Sequence, residues 1–376
     1  MASVRKRSWT ARGGETKTAW MVDYYDNRGG RQRKHFSTKK AADAFRISIE
    51  GQIQSGTYRP DASKLTAKQA CDSFLEHCKG RHKRDERMTR KMLVVYTGHV
   101  NNHILHPERG VAAWKLSHLT ARAVGDLRDR LRTAGVSVPT TRKILSTLHG
   151  ILEYAISQDW IATNAARGVK VIGTRAEGSK KIVPPPKEAM RAIINAADDD
   201  LRLKLIFAAS TGARAGEQWA VKWEDVDFDK GELNIRQRVD AYGEEGAPKS
   251  QAGMRMVPLS DQLIAALKAW KLRSKFSKPG DLIFPNKRGR HIGHDNLVKR
   301  KFLPLFAQPK PPARFNWHAL RHFAVSCWIE AGLAPKTVQT FAGHASLQIT
   351  MDRYGHLFPS DSYKQAMDAI AKGLFD

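Results

Sequence analysis

Four short stretches of this 376-residue chain hold residue types that can do chemistry at spacings that could bring them together. Thr211-Gly212-Ala213-Arg214-Ala215-Gly216-Glu217 follows one apolar segment and precedes another, which puts Arg214 at a helix start with Glu217 within a turn of it. His318 and Arg321 stand at i and i+3, on one face of a helix. Gly343-His344 and Tyr354 come next, His344 and Tyr354 being ten residues apart. Guanidinium groups bind anionic oxygens in bidentate geometry, imidazoles carry protons near neutrality, and a phenol becomes a nucleophile once its proton is removed. Singly each signal is weak, because a lone arginine is usually surface and a lone tyrosine usually half buried.

Other chemistries lack their residues. There is no Gly-Lys-Ser/Thr phosphate cradle, no HExxH and no GxSxG elbow. His99, His103 and His106 share helical spacing, but no carboxylate or cysteine pattern accompanies them, so solvated or capping roles are expected. Asp198, Asp199 and Asp200 point in different directions on a helix, which fits a solvated helix end better than a metal site. No cofactor or metal is expected. Cys71, Cys78 and Cys327 form no CxxC pair, which fits a reducing cytoplasm. No apolar run reaches the roughly 18 residues of a membrane span, so neither export nor insertion is expected.

The formal charge of +27 is the compositional outlier and points to a polyanionic partner, nucleic acid first. It is spread along the chain: residues 1–60 carry 13 basic and 5 acidic side chains, and residues 61–180 carry 21 and 11. Binding is therefore expected along the whole length.

The elements that must carry these residues read as a multidomain, mainly α chain with small antiparallel sheets. A β-prone run at 20–25, a turn cluster at 26–30 and a return strand at 31–36 precede a helix from about Lys39 to Ile53, capped by Ser37 or Thr38. From about Leu65 to Gly168 the period becomes helical. Ile144, Leu148, Ile151, Leu152 and Ala155 make one stripe, and Ala123, Leu127 and Leu131 another, with Ser117 as the expected cap near its start. Four or five helices are expected there. Residues 173–187, rich in Gly, Lys and Pro, read as a linker. Beyond them come helices near 189–197 and 201–210, strands near 226–228, 232–236 and 254–259, and a helix over 317–331. The organisation expected is 1–60, 61–172, a linker at 173–187, and 188–376.

With these motifs in order, the chain resembles the tyrosine recombinases of phages and integrative elements. The resemblance runs through Arg214, Lys249 in Pro248-Lys249-Ser250, Arg255-Met256-Val257-Pro258-Leu259, His318-Ala319-Leu320-Arg321, Gly343-His344 and Tyr354. It implies a β-sheet-plus-helix arm-site DNA-binding domain at 1–60, a helical core-binding domain at 61–172 and a mixed α+β catalytic domain at 188–376. The specific motifs all lie in the last of these.

The implied chemistry is attack by Tyr354 on a DNA phosphodiester, giving a 3′-phosphotyrosyl link. Arg214 and Arg321 would hold the charged phosphoryl oxygens, with His318 as base and His344 hydrogen-bonding a nonbridging oxygen. Lys249, on a hairpin, would protonate the departing 5′ oxygen. Family members often carry Thr before this lysine where Pro248 stands here; the six-residue spacing to Arg255 favours Lys249, with Lys222 and other nearby lysines as alternatives. Glu217 is expected to orient the Arg214 motif. Because one phosphoester replaces another of similar energy, neither ATP nor metal is needed. The tail at 361–374 reads as an amphipathic helix, packed on its own chain or on a neighbour.

The function implied is site-specific integration or excision of a mobile element. The partners implied are double-stranded DNA attachment sites, a homotetramer on DNA, and accessory DNA-bending and excision factors. Competing readings are a chromosome-dimer resolvase of the same family, expected to lack an added N-terminal arm domain; a noncatalytic DNA-binding regulator; and a topoisomerase using the same tyrosine chemistry.

Overall fold

The computed structural model describes residues 2–10, 16–26, 29–174, 177, 182–248, 250–307, 314–358, 367–368 and 370–372. They form two compact units, Met1–Gly178 and Ser179–Asp376.

The first unit opens with an antiparallel sheet of β1 (Ser3–Thr10), β2 (Thr16–Tyr25) and β3 (Arg31–Phe36), followed by α1 (Lys39–Gln54). The hairpin and helix match the sequence reading, and Thr38 caps α1 by accepting from the Ala41 amide at 3.2 Å. Strand β1 was not foreseen: apart from Val4 and Trp9 it is basic or polar, and its outer half is exposed, as suits an edge strand. Val22 and Tyr24 face α1 and bury with Ala42 and Ile49. The register puts Arg5, Arg7, Arg31, Arg33 and His35 on the opposite face. Asp23 sits among them, 2.5 Å from Arg31 and 3.6 Å from Arg33.

Four further helices have a core of their own: α2 (Ala67–Lys83), α3 (Arg90–His99), α4 (Ala121–Thr133) and α5 (Val138–Ser157). The whole stripe from Ile144 to Ala155 is buried in it. Helix α4 begins later than Ser117 implied. Leu116–His118 forms a separate 3-10 turn, and Thr120 is the cap, accepting from the Ala123 amide at 3.2 Å. His99 hydrogen-bonds Thr147 at 2.8 Å, and His106 accepts the Glu108 amide at 3.2 Å. Among the described residues no group of three or more His, Cys, Asp or Glu could hold a metal ion, and no helix is long and apolar enough to cross a membrane.

The second unit starts with α6 (Lys187–Ala196), α7 (Asp199–Thr211) and the short α8 (Ala215–Gln218). A small sheet of β4 (Val226–Asp227), β5 (Glu232–Ile235) and β8 (Arg255–Pro258) is antiparallel throughout, and β6 (Arg238–Val239) pairs with β7 (Glu245–Gly246) in a separate hairpin. Helices α9 (Asp261–Arg273), α10 (His294–Leu297), α11 (His318–Glu330), α12 (Pro335–Ala342) and α13 (Leu347–Tyr354) complete it. Trp219, Trp223, Phe207, Phe284 and Phe302 anchor the main core. Asp198 caps α7 through the Leu201 amide at 2.7 Å and pairs with Lys301 at 3.1 Å, so the aspartate run is a helix end. Of the tail at 361–374 only residues 367–368 and 370–372 are described, and these are helical.

Candidate active site

Two left-handed glycines at helix C-termini set the frame. Gly212 ends α7 at φ +58° and Gly343 ends α12 at φ +62°, a conformation that costs glycine little and other residues much. The carbonyls at these two turns hold the two arginines. Arg321 Nη1 donates to the Gly212 carbonyl at 2.8 Å, and Arg214 Nη2 donates to the Gly343 carbonyl at 2.9 Å. Arg321 also donates to the Ala342 carbonyl. Helix α11 packs on α7 and α12, so Arg321, the fourth residue of α11, lies 3% exposed beneath these turns.

Glu217 is the second organiser. Its carboxylate accepts from the Arg214 amide at 2.9 Å and from Arg214 Nη1 at 2.6 Å, which fixes both ends of that residue at the start of α8. From the other side Arg255 Nη2 donates to it at 2.9 Å, while Arg255 Nε reaches the Phe341 carbonyl at 2.7 Å. Burial pushes the Glu217 carboxyl up, but the Arg255 and Arg214 guanidiniums and their hydrogen bonds outweigh it and hold the group below the usual carboxylate range. Glu217 is thus an anionic strut, as its position within a turn of Arg214 suggested. Arg214 keeps 40% of its side chain exposed, the open member of the pair.

Burial, together with the excess positive charge, lowers the pKa of Arg321, His344 and His318. Burial, then Arg214 and Arg255, pulls Arg321 down to about 9, which leaves it protonated at neutral pH. His344, 4% exposed, is pulled to about 3 by burial and by Arg321, Arg214, Arg353 and Arg255. Its Nδ1 lies 2.9 Å from the Thr350 hydroxyl, and its Nε2 is buried without a hydrogen-bond partner among the described residues. His318 falls to about 4 through desolvation, His322, Arg321, Arg214 and Arg353, although the residue as a whole is exposed.

Tyr354 ends α13 and is fully buried, its ring stacked on that of His344 at 6.1 Å between centroids. Burial raises its pKa, against the pull of Arg321, Arg353 and Arg214. The hydroxyl lies 2.6 Å from His322 Nδ1. A buried phenol must donate its hydrogen, and His322 is its partner among the described residues, so Nδ1 accepts. The histidine on the phenol is therefore His322, one position beyond Arg321, while His318 sits one turn earlier with its ring 4.8 Å from that of His322. The i, i+4 spacing of His318 and His322 on one helix face was the signal available in the sequence.

Arg214, His318, Arg321, His344 and Tyr354 are thus gathered in one place by four helix ends. Lys249 lies outside the described residues. Lys222, the other lysine considered, stands 3.7 Å from Glu245. A cavity of about 330 Å³ opens beside Arg214 and Glu217, lined also by Arg238, Ser250 and Gly253.

A buried phenol thus stands among guanidiniums and imidazoles near the end of the chain, and the comparisons with known proteins cover the same stretch. Residues 186–360 match the model of the phage integrase family. That stretch, the last part of the chain, is a domain of that family. It is 27% identical, over 98% of both chains, to a "Tyrosine recombinase XerC-like" protein of Caldanaerobacter subterraneus, and 23% identical to the ICEBs1 integrase of Bacillus subtilis, over 89% of this chain and 91% of that one. The fold is also that of the Tn1549 transposon integrase in complex with transposon right end DNA, at a TM-score of 0.64 and 17% identity, covering 82% of this chain and all of that one. The integrase fold fits the expected multidomain, mainly α architecture with small antiparallel sheets.

Proposed function

We propose that this chain is a site-specific DNA recombinase, an integrase that cuts and rejoins double-stranded attachment sites through a 3′-phosphotyrosyl intermediate to integrate or excise a mobile element. The observation that carries the reading is Tyr354, a phenol whose hydroxyl rests on a neutral imidazole within the field of Arg321, Arg353 and Arg214. In the mechanism, Arg214 and Arg321 hold the nonbridging oxygens, whose negative charge grows as the phenolate oxygen adds to phosphorus. Their own positions are fixed in advance by Glu217 and the two glycine carbonyls, so little reorganisation is needed.

As the new O–P bond forms, the Tyr354 proton passes to His322, and the departing 5′ oxygen takes a proton from Lys249. His318 at the mouth and His344 beneath it contact the phosphate. The reverse steps, with a different 5′ hydroxyl attacking phosphorus, regenerate Tyr354 and join the new strands, so the energy of the broken bond is kept in the phosphotyrosine. Exchange between two duplexes requires four such cleavages, which fits a homotetramer on DNA acting in the cytoplasm, with accessory bending and excision factors.

Residues 1–60 bind arm sites through the basic face of their sheet, residues 61–172 bind the core site, 173–187 link, and 188–376 catalyse. A chromosome-dimer resolvase is disfavoured by that added N-terminal sheet, and a noncatalytic regulator by the complete set of phosphate-binding and nucleophilic groups. The test uses an attachment-site duplex nicked so that the cleaved end diffuses away. The protein should accumulate as a covalent adduct on it, and Tyr354→Phe should bind the same DNA and form none. An adduct of normal yield from that variant overturns the reading.

A further inference from the structure

We infer that Thr350 is a positioning residue that fixes the tautomer of His344, so that the ring presents an N–H donor, not a lone pair, to the phosphate. This rests on the function proposed above. Thr350 lies on α13, one helical turn before Tyr354, and is fully buried. Its hydroxyl has one hydrogen to donate, and its hydrogen-bond partner among the described residues is His344 Nδ1 at 2.9 Å. Were Nδ1 protonated, ring and hydroxyl would each present a hydrogen, and the threonine hydrogen would be left buried without an acceptor. The arrangement that satisfies both groups has Thr350 donating, Nδ1 accepting and the proton of the neutral ring on Nε2.

Nε2 is the atom with an unmet need: it is buried and has no partner among the described residues. A donor there, in the field of Arg214 and Arg321, suits an anionic oxygen, whereas a lone pair would repel one. Burial and the surrounding guanidiniums also keep the ring uncharged, so the tautomer and not protonation decides what it offers. Gln339 holds the backbone of the same residue on both sides, accepting from the His344 amide through its own carbonyl at 3.1 Å and donating from its side chain to the His344 carbonyl at 3.1 Å. With the ring plane held by Thr350 and the backbone by Gln339, the direction of the Nε2–H bond is set before DNA arrives.

The pairing also ties the phosphate-binding histidine to the helix that carries the nucleophile. Any displacement of α13 that frees Tyr354 from His322 pulls on the Thr350 hydrogen bond too, so nucleophile and donor are aligned or misaligned together.

The experiment uses the full chain labelled with nitrogen-15 in histidine. Ring-nitrogen NMR of the DNA-free protein, with His344 assigned by its loss in His344→Gln, should show an unprotonated Nδ1 and a protonated Nε2. Thr350→Val, which keeps the shape and removes the hydroxyl, should mix the tautomers and slow adduct formation on the nicked duplex roughly 10- to 100-fold, the range seen when a metal-ligating histidine loses the partner that orients it. Site affinity should be unchanged, and Thr350→Ser should restore both spectrum and rate. A proton on Nδ1 in the unaltered protein overturns the inference, and so does a Thr350→Val variant with the Nε2–H tautomer and full rate. The NMR of the unaltered chain decides the matter even if Thr350→Val folds poorly. A normal adduct from Tyr354→Phe overturns instead the function on which it rests, leaving the ring assignment readable.

Discussion

His322 Nδ1 lies 2.6 Å from the Tyr354 hydroxyl, with both side chains held inside the second unit. Under the proposed function the contact has two effects: it supplies a proton acceptor at the attacking oxygen, and it anchors the phenol until a phosphate competes for that oxygen. His322→Gln should therefore bind its attachment site normally but form the covalent adduct about 100- to 10,000-fold more slowly, the usual range for losing a general base. Rapid-quench measurement on the nicked duplex checks this. Incorporating a fluorinated, more acidic tyrosine at position 354 should recover part of the loss, which a purely structural defect would not allow.

The arginines predict a different pattern. Arg214 is partly exposed and tied to one carboxylate and one carbonyl, so Arg214→Ala should fold and bind DNA while cleavage falls about 100- to 1,000-fold. Arg321 is buried against two carbonyls, so Arg321→Ala should lose cleavage and stability together. Adduct yield and urea unfolding, measured on both variants, separate the two cases.

The buried Arg255–Glu217 pair predicts first of all a stability effect. Glu217→Gln leaves Arg255, with only 1% of its side chain exposed, next to a neutral amide. Removing one partner of a buried pair costs about 3–5 kcal/mol, and the midpoint of denaturant unfolding should fall accordingly. Since Arg214 also loses its strut, residual cleavage by the folded fraction should drop as well. An unchanged midpoint would show that the pair contributes nothing net.

Much of this site could be read from the chain because its spacings are helical. His318 and Arg321 share a face, Glu217 falls one turn after Arg214, and glycines precede or flank the catalytic types, so the motif order already placed the chemistry in the last third. The rest depended on contacts between distant segments. His322 looked like a neighbour of Arg321 until the end of α13 brought Tyr354 against it, and Thr350 carried no signal until α13 was set beside the turn after α12. The hydrogen bond from Arg214 to the Gly343 carbonyl spans 129 positions, which no local pattern encodes. In the fold, the apolar stripes gave the helices well, whereas β1 was hidden by its basic side chains and the α4 cap by a 3-10 turn that uses Ser117.

His344 predicts the acid side of the stability profile. Its folded pKa of about 3 lies below the ordinary histidine value, so the unfolded chain takes up a proton that the folded one does not. The stability this group contributes is fully present above the ordinary value and is lost as pH falls from there toward about 3. One proton corresponds to about 1.4 kcal/mol per pH unit. His344→Asn should flatten the profile in this window by up to that slope, as measured by urea unfolding across a pH series. An identical slope in the variant would mean that the ring is protonated in the native state as well.

The N-terminal sheet makes the last prediction. It has its own small core of Val22, Tyr24, Ala42 and Ile49, separate from the core of α2–α5, and its outer face carries Arg5 and Arg7 on β1 and Arg31 and Arg33 on β3, on either side of β2. Such a face binds phosphates by releasing counterions, so its contribution should weaken steeply with salt. Deleting residues 1–60 should abolish protection of distal arm sites in footprinting, leave cleavage of a short core duplex detectable, and reduce the salt dependence of binding to a full attachment site. Replacing Arg5 and Arg7 with Gln tests the face without removing the fold and should weaken arm-site binding while core cleavage stays unchanged. A full footprint from the truncated chain would assign arm recognition to another part of the molecule.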